Sequence, residues 1–323
     1  KTDENREFYN PERERQIYER LRSINKGPFP EEALKSVFRE IISASLSMEK
    51  PINIAFLGPH ATFTHQAAIK HFGQSGNFIA REDIPGVFDE VERGRANYGV
   101  VPIESTAEGA VSHTLDMFVD SPLQICAEVL LEVSSSLLNK SGKVEDIERV
   151  CSHPHALAQC GRWLKETLPG VVAVEVSSTA QAAQMAADDE KTAAIAGEAA
   201  ASLYGLRVAQ KSIQDNPYNY TRFLVIGKRE AKRTGNDKTS VIFAIKDSPG
   251  ALYDILKPLS EKGINLSKIE SRPLKTKAWE YVFYIDMDGY KDDEDIARSI
   301  EGLNKRSSFM KVLGSYEKNS VGK

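Results

Sequence analysis

Short apolar runs alternate with helical stretches from residue 52 to residue 227, and this alternation restricts the fold more than any other feature of the sequence. The runs with the length of a strand are 52–57, 98–102, 123–133, 147–151, 171–176, 193–196 and 223–226. Strands that alternate with helices predict open, largely parallel sheets whose faces are covered by those helices. The region is long for one such sheet, and the run 123–133 could cross between two bodies. We therefore predict two α/β lobes with a cleft between them.

The last third of the chain carries a different pattern, which the charged stretch 228–238 separates from the lobes. Its elements in chain order are strand 239–246, helix 251–262, strand 264–269, strand 281–287, helix 292–304 and strand 310–316. The order βαββαβ is the ferredoxin-like arrangement. We expect a separate C-terminal domain of that type.

The first 50 residues predict two helices. Apolar residues recur at helical spacing in 17–24 and again in 34–42, and the run Gly27-Pro28-Phe29-Pro30 separates the two stripes. Two helices joined by a short break cannot bury both stripes alone. We expect Leu21, Phe38 and Ile41 to pack against a further helix or against the same segment of a second subunit.

Composition excludes several classes of partner. The formal net charge of -4 provides no basic surface of the kind that binds nucleic acid. No apolar run approaches the roughly 20 residues of a membrane-spanning helix, and the first residues lack the apolar core of a signal peptide. Three unpatterned cysteines, Cys126, Cys151 and Cys160, fit buried thiols in a reduced compartment. We expect a cytoplasmic protein without nucleic-acid or membrane partners.

Polar residues collect where the predicted strands end, and the densest group is the stretch 215–223. Asn216-Pro217 predicts a turn, since proline disfavours the helical conformation for the residue before it, and the strand 223–226 follows directly. Ligands of open α/β folds bind outside the carboxyl ends of strands, so this stretch is either an ordinary polar loop or part of a site.

Other strand ends and loops contribute further candidates, which are mostly hydroxyl, amide and carboxyl groups. They are Thr62, Thr64, Glu104, Ser105, Thr106, Ser152, Gln159, Ser178 and Thr179. Together with Arg222 they suit a small carboxylate-bearing molecule, because a guanidinium can hold a carboxylate through two parallel hydrogen bonds.

Other chemistries have weaker support. The sequence has no GxGxxG, Walker or CxxC motif. His153 and His155 could ligate a metal, but no acidic or cysteine residue accompanies them at ligand spacing, so we expect no metal. Ser152 and Ser177 lack an evident His-Asp pair, so a serine-hydrolase triad is not predicted.

Five motifs resemble prephenate dehydratase, in that family's order, across residues 52–227. They are Gly58-Pro59 with Thr62-Phe63-Thr64, Val101-Pro102-Ile103-Glu104 with Gly109, Ser152-His153-Pro154 with Gln159-Cys160, Ser178-Thr179-Ala180, and Asn216-Pro217 with Asn219 and Thr221-Arg222-Phe223. Two later motifs look like the phenylalanine-binding motifs of an ACT domain, namely Pro249-Gly250-Ala251-Leu252 and Glu270-Ser271-Arg272-Pro273. Residues 1–50 are similar to the last two-thirds of a helical chorismate mutase. The resemblance implies three domains: a mutase-like segment at 1–50, a periplasmic-binding-protein-like dehydratase at 51–228 and a ferredoxin-like ACT domain at 238–317.

The resemblance implies conversion of prephenate to phenylpyruvate, water and CO2 without a cofactor. Thr221 would donate a hydrogen bond to the leaving hydroxyl, and Arg222 would either anchor a carboxylate or form a structural ion pair. Glu104, followed by Ser105, would orient donors or supply the proton. The implied substrate-binding positions are Thr62, Thr64, Thr106, Ser152, Gln159, Ser178, Thr179, Asn216 and Phe223. Two alternatives remain open: arogenate as the substrate, and a two-lobed protein that binds a small acid without chemistry.

The resemblance also implies partners. L-Phenylalanine would bind the two ACT motifs as an effector, and the chain would form a homo-oligomer, either a dimer or a tetramer. Chorismate would be a second substrate if the mutase were complete. The matching mutase positions are Lys1, Arg13, Glu14, Ser45 and Glu49. The long first helix of that fold is missing from this sequence, so we expect little mutase activity.

Two positions depart from the family pattern inside the dehydratase motifs. Ser105 stands where the family usually has asparagine, which removes an amide donor. Ala61 stands where glycine is frequent, which restricts the backbone.

Overall fold

The N-terminal segment consists of two helices that contact the body of the protein. The computed structural model describes residues 11–49, 51–107, 109–246, 248–273 and 280–319. Helices α1 (Pro11–Ile24) and α2 (Glu31–Glu49) flank the predicted break. The loop at 73–76 anchors α2, because the Gln74 N–H donates to Glu40 (2.9 Å) and the Ser75 N–H donates to Ser43 Oγ (3.2 Å).

Apolar side chains of this N-terminal segment remain at the surface. Leu21 and Phe38 are half-buried, whereas Ile41 is 52% exposed and Met48 is 88% exposed. The expected packing of this stripe against a further helix or a second subunit therefore stays a prediction.

Lobe 1 begins with a parallel strand-helix arrangement. Its first elements are β1 (Asn53–Leu57), α3 (Phe63–Phe72), β2 (Asn77–Arg81), α4 (Ile84–Glu92), β3 (Tyr98–Ser105), β4 (Gly109–Ala110), α5 (Ser112–Asp120) and β5 (Gln124–Glu132). The helices begin where the sequence supplies caps: Thr62 accepts from the His65 N–H, and Asp83 accepts from the Gly86 N–H ahead of α4. Strand β1 pairs in parallel with β2 and β3.

Lobe 2 is a second sheet formed by the middle of the chain. Its elements are β6 (Ser136–Asn139), a 3-10 turn (Val144–Asp146), β7 (Arg149–Ser152), α6 (Pro154–Gln159), α7 (Gly161–Thr167), β8 (Val172–Glu175), α8 (Thr179–Asp188), β9 (Thr192–Ala196), α9 (Glu198–Tyr204) and β10 (Arg207–Gln210). The strand order is β10-β6-β9-β7-β8. Small side chains let α8 lie close to β9, since Ala182, Ala183 and Ala186 are fully buried against Ala194 and Ala196.

Strand β11 (Tyr220–Gly227) returns the chain to lobe 1 and completes its sheet in the order β2-β1-β3-β11-β5. It pairs antiparallel with both β3 and β5. In lobe 2, β6 likewise pairs antiparallel with β9 and β10. Two α/β lobes are confirmed, but the prediction of largely parallel sheets is wrong. The strand that enters each lobe from the other, β11 in lobe 1 and β6 in lobe 2, runs opposite to both of its neighbours.

Two connecting segments, 133–135 and 211–219, join the lobes side by side. The Val133 N–H donates to the Asn219 carbonyl (2.7 Å), and the Ile213 N–H donates to the Ser135 carbonyl (2.8 Å). The run 123–133, which could have crossed between the lobes, stays in lobe 1 as β5; the chain reaches β6 of lobe 2 through the segment 133–135 that follows.

The C-terminal domain has the predicted βαββαβ order. Its elements are β12 (Asp237–Lys246), α10 (Ala251–Glu261), β13 (Leu266–Pro273), β14 (Glu280–Asp288), α11 (Glu294–Arg306) and β15 (Phe309–Glu317), with strand order β13-β14-β12-β15. One sheet face packs under the two helices through Val241, Phe243 and Ile285.

The other face of this sheet packs on lobe 1. Ile242, Ala244 and Tyr284 belong to the same buried cluster as Phe118 and Ile125 of lobe 1. All but the last residue of β12 are buried, because both faces of its sheet are covered. The C-terminal domain is thus docked on lobe 1 through an apolar interface. Among the described helices, none is both long enough and apolar enough to cross a membrane.

Candidate active site

The side chains of residues 220–224 in strand β11 alternate between the two faces of the lobe 1 sheet. Its pairing with β5 is regular here, with Thr221 opposite Leu131 and Phe223 opposite Val129. Phe223 and Val129 lie in the core beneath α3, whereas Leu224 lies in the core shared with the C-terminal domain. Because side chains alternate along a strand, Thr221 points to the α3 face and Arg222 to the opposite one.

A β-bulge in β3 directs Glu104 to the same face as Arg222. Arg222 pairs with Glu104 and Phe223 pairs with Pro102, so Ile103 is an extra residue in β3. Ser105 is the cross-strand partner of Thr221. The structure therefore brings together Thr221 with Ser105 on one face, and Arg222 with Glu104 on the other.

The Arg222 guanidinium is buried among acidic groups rather than open to a ligand. Nε lies 2.6 Å from Glu128, and Nη1 lies 2.6 Å from Asp286 and 3.3 Å from Glu104. Nη2 donates to the Tyr316 hydroxyl at 2.9 Å. Burial alone would lower the pKa of Arg222, but Tyr316, Asp286 and the other acidic neighbours hold it above its ordinary value. Of the two roles that the sequence left open for Arg222, its contacts favour the structural ion pair.

The loop before α3 lies against lobe 2. Ala61 is almost fully buried and packs in the lobe 2 core with Ala196 and Ala200. It adopts a left-handed conformation (φ 66°), and its N–H donates to His65 Nδ1 at 3.2 Å. Burial, with a smaller contribution from His60, lowers the pKa of His65 to about 4, so its ring is neutral and can accept this bond.

Threonines of the same loop are committed to local structure. Thr62 caps α3, and its hydroxyl donates to the Pro59 carbonyl (2.9 Å). Thr64 is buried within the first turn of α3. Both stand at the N-terminus of a ten-residue helix, where free N–H groups and the helix dipole favour an anion.

Lobe 2 turns the carboxyl ends of its parallel strands toward lobe 1. Gly197, which follows β9, approaches Gln66 and Phe63 of α3, since a Cβ there would lie 2.7 Å from Gln66 Nε2. Strands β7 and β8 run parallel to β9, so their ends lie at the same edge. Ser178 and Thr179 follow β8; Ser178 caps α8 by accepting from the Gln181 N–H, and Thr179 is half-buried beside it.

The turn at 216–219 closes the seam between the lobes. Asn216 Oδ1 accepts from the Tyr218 N–H (3.0 Å), and the hydroxyl of Thr106 accepts from the Tyr220 N–H (2.9 Å). Asn219 is 4% exposed and donates to Gln159 Oε1 at 3.0 Å. These bonds tie Thr106, Asn216 and Gln159 to the segment that leads into Thr221.

Ser152 and Phe223, which were expected to contact the substrate, are both buried inside the protein. Ser152 is fully buried, and its hydroxyl donates to the Ile195 carbonyl at 2.6 Å, which links β7 to β9. Phe223 is 2% exposed in the lobe 1 core, because it alternates with Arg222 along β11 and so lies beneath α3. Contact of either side chain with a ligand stays a prediction.

Sequence reasoning found Asn219 as a motif residue but missed the Gln66 amide at the seam and two of the acidic groups around Arg222, Glu128 and Asp286. In the described part of the chain, Asn219 Oδ1 and Gln66 Nε2 are buried without a hydrogen-bond partner, so both are candidates to contact a ligand. Glu128 and Asp286 could have been noticed as single charges inside otherwise apolar strands.

Comparison with known proteins places this arrangement in a family. A family model for prephenate dehydratase matches residues 54–231, one for chorismate mutase type II matches residues 1–50, and one for the ACT domain matches residues 239–304. The chain belongs to the prephenate dehydratase family. The resemblance stated from its motifs is thereby confirmed.

This chain is similar to bifunctional enzymes and to solved structures. A bifunctional chorismate mutase/prephenate dehydratase of Aquifex aeolicus is 51% identical over 312 residues, which span 95% of this chain and 86% of that protein. The crystal structure of prephenate dehydratase from Arthrobacter aurescens in complex with L-Phe is 36% identical with a TM-score of 0.77, covering 83% of this chain and 90% of that one. A structure described as GqqA, a novel type of quorum quenching acylase, is 26% identical with a TM-score of 0.74, covering 83% of this chain and 98% of that one.

The two ACT motifs lie at the start of α10 and in β13 of the C-terminal domain. Gly250 adopts a left-handed conformation (φ 82°) immediately before α10, with exposed Pro249 ahead of it. In β13 the side chains alternate: Ser271 and Pro273 are exposed, whereas Arg272 lies 3.2 Å from Asp116 of lobe 1. Ala251 and Leu252 are partly buried against the domain core, and Glu270 is half-buried.

The residues of the segment 1–50 that match chorismate mutase positions lie outside the seam between the lobes. Burial raises the pKa of the Glu14 carboxyl to about 7. Ser45 donates to the Ile41 carbonyl within α2, and Arg13 and Glu49 are exposed. Lys1 lies outside the described residues. Over the described ranges, no group of three His, Cys, Asp or Glu side chains is arranged to hold a metal ion.

Proposed function

We propose that this chain converts prephenate to phenylpyruvate, water and CO2. The observation that carries the proposal is the pairing of Thr221 with Ser105 on the α3 face of the sheet, next to the seam between the lobes. Family membership and the name of the Aquifex aeolicus relative support the same reaction.

The substrate's two carboxylates would be held mainly by helix N-termini and amides. Helices α3 and α8 each begin at a strand end and carry a hydroxyl cap, Thr62 and Ser178. Neutral donors suit this reaction, because the electrons of the ring carboxylate must move into the ring as CO2 leaves. A tight ion pair with an arginine would oppose that step, and Arg222 is occupied elsewhere.

Thr221 would act on the leaving hydroxyl. A threonine hydroxyl is a weak acid, so it would serve as a positioned hydrogen-bond donor to the developing charge on that oxygen. Ser105 lies opposite it across the strand pair and would orient the hydroxyl or the substrate. Gln159 and Asn219 would contact the substrate from the lobe 2 side of the seam. Aromatisation of the ring supplies the driving force.

L-Phenylalanine would inhibit the reaction by binding the C-terminal domain. The supporting observations are the ACT family match and the left-handed Gly250 before α10, where the backbone is open to a ligand. Ser271 and Pro273 are the exposed members of the second motif and would contact the effector, while Arg272 faces lobe 1.

The chain would be a cytoplasmic homo-oligomer with little mutase activity, divided at 1–50, 51–228 and 238–317. The exposed apolar side chains of α2, including Val37 and Ile41, would be covered by a second copy. A truncation that starts at Pro51 should therefore weaken self-association, measured by analytical ultracentrifugation, without lowering dehydratase turnover.

The test measures turnover of prephenate and of arogenate in parallel reactions. Phenylpyruvate is followed by its absorbance with prephenate, with L-phenylalanine added or omitted as effector. The L-phenylalanine formed from arogenate is quantified by chromatography. We expect turnover of prephenate with inhibition by phenylalanine. Faster turnover of arogenate would make arogenate, not prephenate, the substrate. Binding of either acid without turnover would support a protein that binds a small acid without chemistry. Acylase activity has less support, because the hydroxyls of Ser152 and Ser177 donate to Ile195 and Gln181.

A further inference from the structure

A cluster of six charged side chains joins lobe 1 to the C-terminal domain behind the candidate site. Lobe 1 contributes Glu104, Glu128 and Arg222, and the C-terminal domain contributes Lys238, Lys268 and Asp286. We call these six residues the interdomain cluster. Its three positive and three negative charges balance.

Five members of the interdomain cluster are shielded from water, whereas the Glu104 side chain is 33% exposed. Asp286 and Glu128 side chains are 0% and 1% exposed, and Arg222 is 5% exposed. Lys238 Nζ lies 3.1 Å from Glu128, and Ser240 donates to Asp286 at 2.5 Å. Burying charges is costly, and an apolar contact of the same size would stabilise at least as well. The cluster therefore contributes more to fixing the geometry of the interface than to stability.

Two members of the cluster are chain neighbours of the candidate catalytic pair. Glu104 precedes Ser105 at the end of β3, and Arg222 follows Thr221 at the start of β11. Lys268, on β13, forms an ion pair with Glu104. Asp286, on β14, holds Arg222 at 2.6 Å. The C-terminal domain thus contacts the end of β3 and the start of β11. The same two strand ends carry Ser105 and Thr221 on the opposite face of the sheet.

We infer that the C-terminal domain completes the dehydratase site, with Lys268 and Asp286 acting as positioning residues for Ser105 and Thr221. The inference rests on the proposed dehydratase function. Lys268 fixes the end of β3 through Glu104, and Asp286 fixes the start of β11 through Arg222. If either contact is lost, the distance and angle between the Ser105 and Thr221 hydroxyls vary. A misplacement of about 1 Å can lower turnover roughly a hundredfold.

A second lysine of the C-terminal domain offers a matched control. Lys311, on β15, crosses the same interface and donates to the Phe118 carbonyl (3.0 Å) and to the Ser121 carbonyl near the end of α5. It touches neither β3 nor β11 in these bonds. Lys268→Met and Lys311→Met each remove one interdomain lysine and keep an apolar side chain of similar length. Only Lys268→Met removes a partner of Glu104, which keeps its contact with Arg222.

The experiment measures kcat and KM for prephenate in the full chain and its variants. We expect Lys268→Met to lower kcat roughly tenfold or more with KM changed less than about threefold, because substrate-binding groups at the helix N-termini are untouched. Lys268→Arg should restore most of kcat, since arginine can still pair with Glu104. Lys311→Met should stay within about twofold of the original kcat. Equal losses in Lys268→Met and Lys311→Met, or no loss in Lys268→Met, would overturn the inference.

Hydrogen-deuterium exchange provides a readout that does not depend on activity. The amides of 103–106 and 219–222 should exchange faster in Lys268→Met and at the original rate in Lys311→Met. If the original chain does not turn over prephenate, the proposed function fails, and this exchange comparison alone decides the positioning inference. Lys268→Gln replaces Lys268→Met if the methionine variant does not fold. Unchanged exchange in the Lys268 variant would refute the inference.

Discussion

Replacing Gly314 with alanine should break the docking of the C-terminal domain on lobe 1. Gly314 lies in β15 with φ 153°, a backbone conformation that residues other than glycine rarely adopt. A Cβ there would lie 2.3 Å from the carbonyl oxygen of Ile125 and 3.1 Å from its nitrogen. Both atoms belong to the backbone of β5, so no side-chain rotation can relieve the overlap.

The expected cost follows from two effects. Forcing an extra carbon into a packed interface costs about 1–3 kcal/mol, and holding alanine in an unfavourable backbone conformation costs about 1–3 kcal/mol. Gly314→Ala should therefore destabilise the chain by roughly 2–6 kcal/mol. For a protein of this size the melting temperature should fall by on the order of 10 °C.

Thermal unfolding followed by circular dichroism measures the effect, and a second glycine provides the control. Gly302 lies within α11, and a Cβ there would meet nothing within 4 Å. Gly302→Ala should raise stability by about 0.5–1 kcal/mol, because alanine favours the helix. If Gly314→Ala unfolds at the original temperature, β15 and β5 do not approach each other as described.

Three further predictions concern the site, the effector and the pH dependence of stability. Thr221→Ala should lower kcat about a hundred- to a thousandfold, the cost of one transition-state hydrogen bond, while the exposed control Thr167→Ala leaves kcat unchanged in the prephenate assay. Gly250→Val should abolish L-phenylalanine binding in calorimetry, because valine is excluded from the left-handed conformation before α10; retained binding would remove Gly250 from the effector site. Folding raises the pKa of Glu14 from 4.5 to about 7, so the unfolded chain releases this proton first and stability falls as pH rises between those values. Glu14→Gln should therefore raise the melting temperature at pH 8 but not at pH 4, whereas the exposed Glu19→Gln on the same helix should raise it at neither.

Element order was predictable where a periodic pattern was long. The two N-terminal helices follow from apolar stripes separated by a Gly-Pro break, and the βαββαβ domain follows from its regular alternation. Strands β2, β6 and β10 escaped prediction, since each has only four or five residues and no distinct alternation. Their pairing depends on neighbours far along the chain, which local sequence does not encode.

The candidate site was predictable as a set of residues but not as a geometry. Thr221 and Arg222 are adjacent in sequence, and only the strand conformation of β11 sends them to opposite faces. The bulge that turns Glu104 toward Arg222 is equally invisible in the sequence, because it arises from the register between β3 and β11. Two partners of Arg222, Asp286 and Tyr316, come from another domain, and such contacts cannot be inferred from spacing along one chain.

The double connection between the lobes limits how a ligand can enter. Ser135 donates its N–H to the Gln214 side chain, and Asp215 accepts from the N–H groups of Arg162 and Trp163 in lobe 2. From Asn219 onward the second connection bonds to Val133 at the end of lobe 1. Residues 216–218, which lie between these anchors, are exposed. Two parallel tethers permit rotation about the line that passes through both and oppose sliding or twisting, so the lobes should separate by a single angular coordinate, with Asn216, Pro217 and Tyr218 on its axis.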